Sequence, residues 1–520
     1  MTPEPIELIA SQPATLDSID RALDGTFTAE RLDSSESDHV LLDTFDRLVR
    51  GEGWTLAHEH GRLALSDRRM ISAVAAGPPC EAPAGPMFGR DLPAGELGNR
   101  VARAIELRAL LPLGRLHVRT ESYRILDDLQ KTVVRVNVLV PELVSCGGSA
   151  TPLSTRLRIQ VVRGYGEERD EVIAALSPAL GLAGADQPLP DEAILASGER
   201  PEGVSTKVAV PLDADQPSVL AVSRVLRALL DVIDANLAGT LADTDSEFLH
   251  DYRVSIRRTR AVQRQFKHVF DPDELRVARG EFKWLQQSTS DARDLDVYVL
   301  GFDAMRDLIP RETRPDLAPL LTALRRRRTV AHGAMGRALR SDRARETMSR
   351  WREMLDVLDD GPDSDRPYGR RPIGGYSSRR IRKVYRRMLE MGGAIRVGGD
   401  ESPPQEFHEL RKKGKELRYL LELFGQPTAD ASVVKPMIKT LKSLQDVLGH
   451  HQDREVQIDM LRSLADEVAV LPGGPRALMA MGVLTAQLEK DAAKTRRKFS
   501  QVFEEFAGKD QRKLVKDTFA

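Results

Sequence analysis

The sequence predicts a multidomain α+β protein: an antiparallel β-rich N-terminal domain followed by an all-α C-terminal domain. Three observations carry this. The chain has 520 residues, where roughly 100 to 200 per domain is usual, so two to four units are expected. The apolar periodicity changes from alternation to helical spacing near residue 213. The charge is also uneven. Residues 1–210 hold 22 Lys and Arg against 31 Asp and Glu, and residues 211–520 hold 55 against 47, so a formal net charge of −1 hides a −9 half and a +8 half. A basic half favours an anionic partner.

Composition excludes several classes. With 41% hydrophobic and 30% charged residues the chain is globular, and no apolar run nears the roughly 18 residues that suggest a membrane span. The N-terminus, MTPEPIELIASQPATLDSIDRAL, carries acids where a secretion signal needs a basic start and an apolar core. Two cysteines, Cys80 and Cys146, make no disulfide framework or C-x-x-C pair, so a cytoplasmic protein with inert thiols is expected.

From Leu41 to Gly164, WTLAHE, RLALS, ELRALLPL, RLHVRT, SYRIL, KTVVRVNVLV and RLRIQVVRG read as strands of alternating, Val- and Leu-rich character. PPCEAPAGPMFGRDLPAGELG reads as a surface loop, and GLAGADQPLPDEAILASGERPEG, from Gly181 to Gly203, as a linker or loose hairpin. Beyond Val219 the segments SVLAVSRVLRALLDVIDANL, EFLHDYRVSIRRTRAVQRQF and PMIKTLKSLQDVLGHHQDREVQIDMLRSL are amphipathic helices. A break from Asp359 to Ser378 separates two helical halves.

The halves repeat. HDYRVSIRRTRAVQRQF, from His250, aligns with HELRKKGKELRYLLELF, from His408, at an offset of 158, pairing His250 with His408, Arg253 with Arg411, Arg257 with Lys415, Arg260 with Arg418 and Phe266 with Phe424. FKWLQQSTSDARDLDV and LKSLQDVLGHHQDREV follow, pairing Lys283 with Lys442, Gln286 with Gln445 and Asp294 with Asp453. A tandem duplication with an approximate two-fold axis is expected.

Positions three and four apart share a helix face, so His250, Arg253, Arg257, Arg260 and Arg264 form one stripe, and His408, Arg411, Lys415 and Arg418 the other. Arg379 or Arg380, Lys383 and Arg387, with Arg224 and Arg227 in the first half, extend the basic surface. A basic stripe is ordinarily a solvated face; repetition at one offset argues for a ligand. Cations at i, i+4 repel by about 0.2–0.5 kcal/mol per pair, and arginine forks suit phosphate oxygens. His450, His451 and Asp453 suggest a metal cluster, but the first copy has DARD there, so no metal, cofactor or catalytic residue is expected in this half.

These motifs, with E-F-L-H-D-Y-R-V-S-I-R-R-T-R, F-H-E-L-R-K-K-G-K-E-L-R-Y and the two L-Q tails, make residues 215–510 resemble a CHAD domain, the conserved-histidine α-helical domain. The resemblance implies two four-helix bundles with pseudo-two-fold symmetry, residues 215–375 and 376–510, with a tail at 511–520, binding inorganic polyphosphate in a basic groove and associating with bacterial polyphosphate granules. It assigns the ligand to His250, Arg253, Arg257, Arg260, Lys283, His408, Arg411, Lys415, Arg418 and Lys442, to which the stripe geometry adds Arg264, Arg380, Lys383 and Arg387. One departure is Ser290, where the second copy has Gly449.

Residues 1–205, with 206–214 as linker, resemble a degenerate CYTH domain, an antiparallel triphosphate-tunnel β-barrel. Of the E-x-E-x-K signature only Glu7 remains, beside Pro5 and Ile9, and the arginines of L-R-x-R are Ala57 and Glu59. One glutamate supplies no site for an activating divalent metal, so a scaffold without triphosphatase or cyclase activity is expected, kept for docking a protein partner or self-association. The competing readings are a triphosphatase or polyphosphatase with substitute ligands, and nucleic-acid binding. The latter is disfavoured by an aromatic content of 5%, too sparse to interleave the stripes with stacking rings.

Overall fold

A computed structural model describes residues 5–12, 14–145, 148–162, 165–205, 208–361 and 368–519, with the side chains of residues 400 and 431 also outside the description. Cys146, the first two residues of the expected linker and residues 362–367 of the expected break at 359–378 thus lie outside the described residues; Cys80 is exposed. The chain divides into two compact units, Met1–Ser205 and Thr206–Ala520, each described by itself.

In the first unit the chain runs through β1 (Ile6–Ala10), α1 (Leu16–Leu23), β2 (Thr28–Arg31), β3 (Ser35–Asp43), α2 (Leu48–Gly51), β4 (Trp54–Glu59), β5 (Arg62–Asp67), β6 (Ala73–Pro79), α3 (Glu96–Ile105), β7 (Leu111–Leu126), β8 (Thr132–Val144), β9 (Ala150–Pro152), β10 (Arg156–Val161), α4 (Gly166–Leu180), β11 (Leu182–Gly184) and α5 (Leu189–Ala196). RLHVRT and SYRIL are one long strand, β7, and β3 was missed because SESDH opens it with polar residues.

The strands form one antiparallel sheet in the order β11-β1-β10-β8-β7-β3-β4-β5-β6, with β2 beside β7 and β9 beside β8. The expected barrel is not formed: β11 and β6 are the two ends of the order and do not pair. β11 has three residues, and β6 ends in Pro78 and Pro79, which lack the N–H a ladder needs. Alternation sends Leu41 to one face, against Ala57, Leu116, Val118 and Leu139, and Leu42 to the other, against Leu56 and Val101.

The first of these faces is covered by α5, which lies inside the segment read as a linker. Leu189 and Ala193 complete its core, while Pro at the helix start and Asp191 and Glu192 in the first turn are ordinary N-terminal signals. Their meaning was hidden by the surrounding Gly and Pro. Asp191 bridges Arg50 at 2.9 Å and Arg68 at 2.7 Å.

Glu7, the surviving signature acid, is buried against three guanidiniums: Arg158 at 3.1 Å, and Arg69 and Arg156 at 3.3 Å each. Arg158 also donates to the carbonyls of Arg69 and Met70, and Arg156 to Gln187 and Glu192.

The second unit is helical: α6 (Ser218–Ala242), α7 (Ser246–Gln265), α8 (Pro272–Ser288), α9 (Ser290–Leu300), α10 (Phe302–Arg306), α11 (Ala318–Leu339), α12 (Asp342–Asp359), α13 (Ile373–Gly398), α14 (Pro404–Phe424), α15 (Ala431–Ala469), α16 (Gly474–Phe506) and α17 (Lys509–Thr518). The residues read as a tail from 511 lie mostly in α17, which buries Val515 and leads to buried Phe519. Both hydrophobic cores draw on both halves of the repeat. One joins α6, α7 and α8 with α13 and α14, and the other joins α10 and α11 with α15 and α16.

The halves also meet through backbone. Pro217 and Pro372, which precede α6 and α13, form an antiparallel bridge. Ser218 N–H donates to the Arg371 carbonyl at 2.8 Å, and Ile373 N–H to the Gln216 carbonyl at 3.0 Å. The two bonds are reciprocal: 218 pairs in sequence with 373, and 216 with 371, at the offset of the two helix starts.

Candidate functional site

The two motif helices, α7 and α14, pack against each other. Asp245 caps α7 by accepting from the N–H groups of Glu247 and Phe248 at 2.8 and 3.1 Å. Phe248, Leu249, Tyr252, Ile256 and Val262 bury one side of it. On α14, Phe407, Leu410, Leu417, Leu420 and Phe424 do the same. These apolar spacings fix the rotation of each helix, and Arg258 on α7 joins Glu422 on α14 at 2.8 Å.

Along this junction lies a cleft of about 440 Å³, lined by Arg257, Arg260, Arg264, Gln286, Glu409, Lys412, Lys413, Lys415, Glu416 and Tyr419. Six cations face two carboxylates. Glu409 pairs with Lys412 at 2.5 Å, and Glu416 with Lys413 at 2.7 Å and Arg264 at 3.3 Å. Burial opposes ionisation of Glu416, yet Lys413 and Gln265 hold it below the usual carboxylate range. Among the described residues, Arg257, Arg260 and Lys415 have no carboxylate in an ion pair, and the Arg257 Nε is buried without a hydrogen-bond partner.

Lys415 is strongly perturbed. Burial, then repulsion by Arg411 and Arg257, push its amine down to about 7. Burial, then Arg264 and Arg279, also lower Arg260. A site that disfavours its own cations is relieved by an anion, which is the sense in which such shifts mark function.

Four of the residues expected from the sequence line this cleft: Arg257, Arg260, Arg264 and Lys415. Others support it. Arg260 donates to the Gln286 side chain, and its repeat partner Arg418 donates to Gln445 at 3.2 Å. Arg253 is buried and donates to the Gln286 carbonyl at 2.9 Å, Thr289 Oγ1 at 2.7 Å and Ser290 Oγ at 3.3 Å, where α8 gives way to α9. Burial, then Arg257, bring its guanidinium down to about 10. Its equivalent Arg411 pairs with Asp453 at 3.3 Å. There Gly449 replaces Ser290, no hydroxyl is offered, and α15 runs on unbroken. Arg380 donates to Gln265 at 2.9 Å.

The rest lie elsewhere. His408 Nδ1 donates to Gln452 Oε1 at 2.9 Å and lines a separate, acid-rich hollow with Glu455, Asp459 and Glu489. Arg387 pairs with Glu390, while Lys383, Lys283 and Lys442 are exposed. His250 is partly buried on α7 and is not among the cleft's lining residues. Arg227 is held by Asp356 at 2.6 Å and by Asp359, and Arg224 by Gln216 at 3.3 Å. His450 pairs with Asp491 at 2.9 Å, and His451 is buried; no group of three His, Cys, Asp or Glu among the described residues is placed to hold a metal.

Sequence reasoning missed Lys412, Lys413, Glu409, Glu416 and Tyr419. The run RKKGK was visible, but a stripe of fixed spacing selects one line of a helix, whereas a cleft collects a wider arc.

Residues 224–462 match the family model of the CHAD domain. The helical unit carries a CHAD domain. Its match spans α7, α14 and the whole cleft. Among solved structures, the chain is similar to the crystal structure of the CHAD domain from the plant Ricinus communis, at 23% identity over 57% of this chain and 95% of that one, with a TM-score of 0.48. It is also similar to PptA from Streptomyces chartreusis, at 19% identity over 55% and 99%, with a TM-score of 0.44. No curated protein sequence matches the chain. No helix among the described residues is long and apolar enough to cross a membrane.

Proposed function

We propose that the CHAD domain binds inorganic polyphosphate in the cleft between α7 and α14. The observation that carries this reading is the set of three cations, Arg257, Arg260 and Lys415, brought together from two repeats with no carboxylate of their own. Burial and repulsion by Arg411 and Arg257 outweigh the attraction of Asp453 at Lys415, and an entering anion adds to that attraction. A polymer of closely spaced phosphates meets several cations at once, and arginine forks bind its oxygens two at a time.

The ligand set is redrawn accordingly. Arg257, Arg260, Arg264 and Lys415 contact phosphate, with Lys412 and Lys413 at the rim. Arg253, Arg380, Arg411 and Arg418 hold those side chains and their helices in place. His250, Lys283, Lys442, Lys383 and Arg387 guide longer chains past the cleft, while His408, in its acid-rich hollow, takes no part.

Two four-helix halves related by an approximate two-fold axis are part of the reading. The reciprocal bonds at Ser218 and Ile373 and the matched Arg260–Gln286 and Arg418–Gln445 pairs support it. The N-terminal unit is a CYTH-like scaffold whose Glu7 is engaged by guanidiniums rather than left to hold a divalent cation; it docks a protein partner or a second copy. In the cell the protein is cytoplasmic and joins polyphosphate granules. Nucleic acid is the weaker polyanion candidate, since Tyr419 is the one aromatic side chain lining the cleft. Competition for the full chain between polyphosphate and RNA tests this: RNA displacing polyphosphate at equal phosphate concentration rejects the assignment.

A further inference from the structure

A second constellation stands in the N-terminal unit. Ser37 Oγ lies 2.9 Å from His39 Nε2, and His39 Nδ1 lies 2.7 Å from Glu59 Oε2. The strands build it. His39 and Glu59 are directly opposite across the β3–β4 ladder, and Ser37 is two residues before His39, so all three side chains leave the same face. His39 is only 8% exposed. The carboxylate meets Nδ1 as a close contact without hydrogen-bond alignment, which still favours a proton on Nδ1 and leaves Nε2 to accept from the Ser37 hydroxyl. His39, with burial opposing, holds Glu59 below the usual carboxylate range.

All three residues line one pocket of about 490 Å³. Its other walls are largely apolar, with Leu116, Val118 and Leu139, and His60 and Arg62 stand at the same pocket as donors for an anionic oxygen. A hydroxyl beside a histidine, a carboxylate beside the second ring nitrogen, a binding space and N–H donors are the parts that acyl transfer requires.

We propose that Ser37, His39 and Glu59 form a hydrolytic triad for small carboxylic esters with an apolar acyl group. Ser37 Oγ bonds to the ester carbonyl carbon as its proton passes to His39 Nε2. The bond from that carbon to the alcohol oxygen breaks, and the alcohol leaves with the proton. Water then adds to the acyl-serine while giving a proton to His39. The bond from carbon to Oγ breaks, the carboxylic acid departs, and Ser37 regains its proton. Ser37 and His39 are the catalytic residues, and Glu59 is a positioning residue. This activity is separate from polyphosphate binding.

The test uses the full chain, a fluorophosphonate probe with peptide mass spectrometry, and hydrolysis of p-nitrophenyl butyrate. The expected result is one adduct, located on Ser37, and a hydrolysis rate that falls about a hundredfold in Ser37→Ala and in His39→Ala. Glu59→Gln shifts the pH-rate profile while Ser37 remains modifiable. Absence of an adduct at Ser37 in the wild-type protein overturns the proposal, and this readout does not depend on any variant folding. An unchanged rate in Ser37→Ala overturns it as well.

Discussion

The rings of Phe266 and Phe424, equivalent residues 158 positions apart, meet with centroids 4.4 Å apart and both fully buried. Phe266 follows α7 and Phe424 ends α14, so this contact brings the ends of the two motif helices together in one core. The cleft opens beside the same two helices.

Replacing either ring should therefore loosen both halves. Phe266→Ala and Phe424→Ala are each expected to cost about 3–5 kcal/mol. Because the rings share one contact, the double variant should lose less than the sum. Denaturant unfolding of the four proteins reads this, and strict additivity argues that the rings act in independent cores.

Proton linkage at Lys415 gives the second prediction. Its folded-state value, about 7, is below the value of 10.5 expected when unfolded. Between these, the unfolded chain holds a proton that the folded chain has released, so this lysine makes stability rise with pH across that window. Below about 7 both states are protonated and its contribution is flat. Polyphosphate reverses the preference by favouring the ammonium. Binding above pH 7 should take up a proton, and affinity should fall by up to about tenfold per pH unit. Calorimetry in buffers of differing ionisation enthalpy checks this, with Lys415→Met losing the uptake.

Glu7 gives the third. Glu7→Gln removes one of the two carboxylates paired with the fully buried Arg156, leaving Glu192, and loss of one partner from a buried charge cluster costs about 3–5 kcal/mol. The N-terminal unit should become sensitive to limited proteolysis while the CHAD domain resists. Phosphate release from tripolyphosphate with Mg²⁺ should stay at background in both proteins; release that depends on Glu7 revives the triphosphatase reading.

The helical half was legible because its information is local and repeated: 3.6-residue spacing reports each helix, and the offset of 158 reports the pairing. What the spacing could not convey was depth. Arg253 and Arg257 sit on one predicted stripe, yet Arg253 is turned into the α8–α9 junction while Arg257 faces the cleft. The N-terminal half was harder because its structure rests on long-range pairing. Glu59 read as a lost arginine, and its place opposite His39 exists only once β3 and β4 are in register. Likewise α5 looked like linker, since Leu189 gains meaning only when the sheet it covers is formed.

The central claim is most directly tested by titrating the full chain with long-chain polyphosphate, comparing wild type with Arg257→Glu/Lys415→Glu and with His408→Ala. Wild type should bind with an affinity that weakens steeply with salt, the double variant should lose about a hundredfold or more, and His408→Ala should stay near wild type. Undiminished binding by the double variant, with both proteins folded, would contradict it.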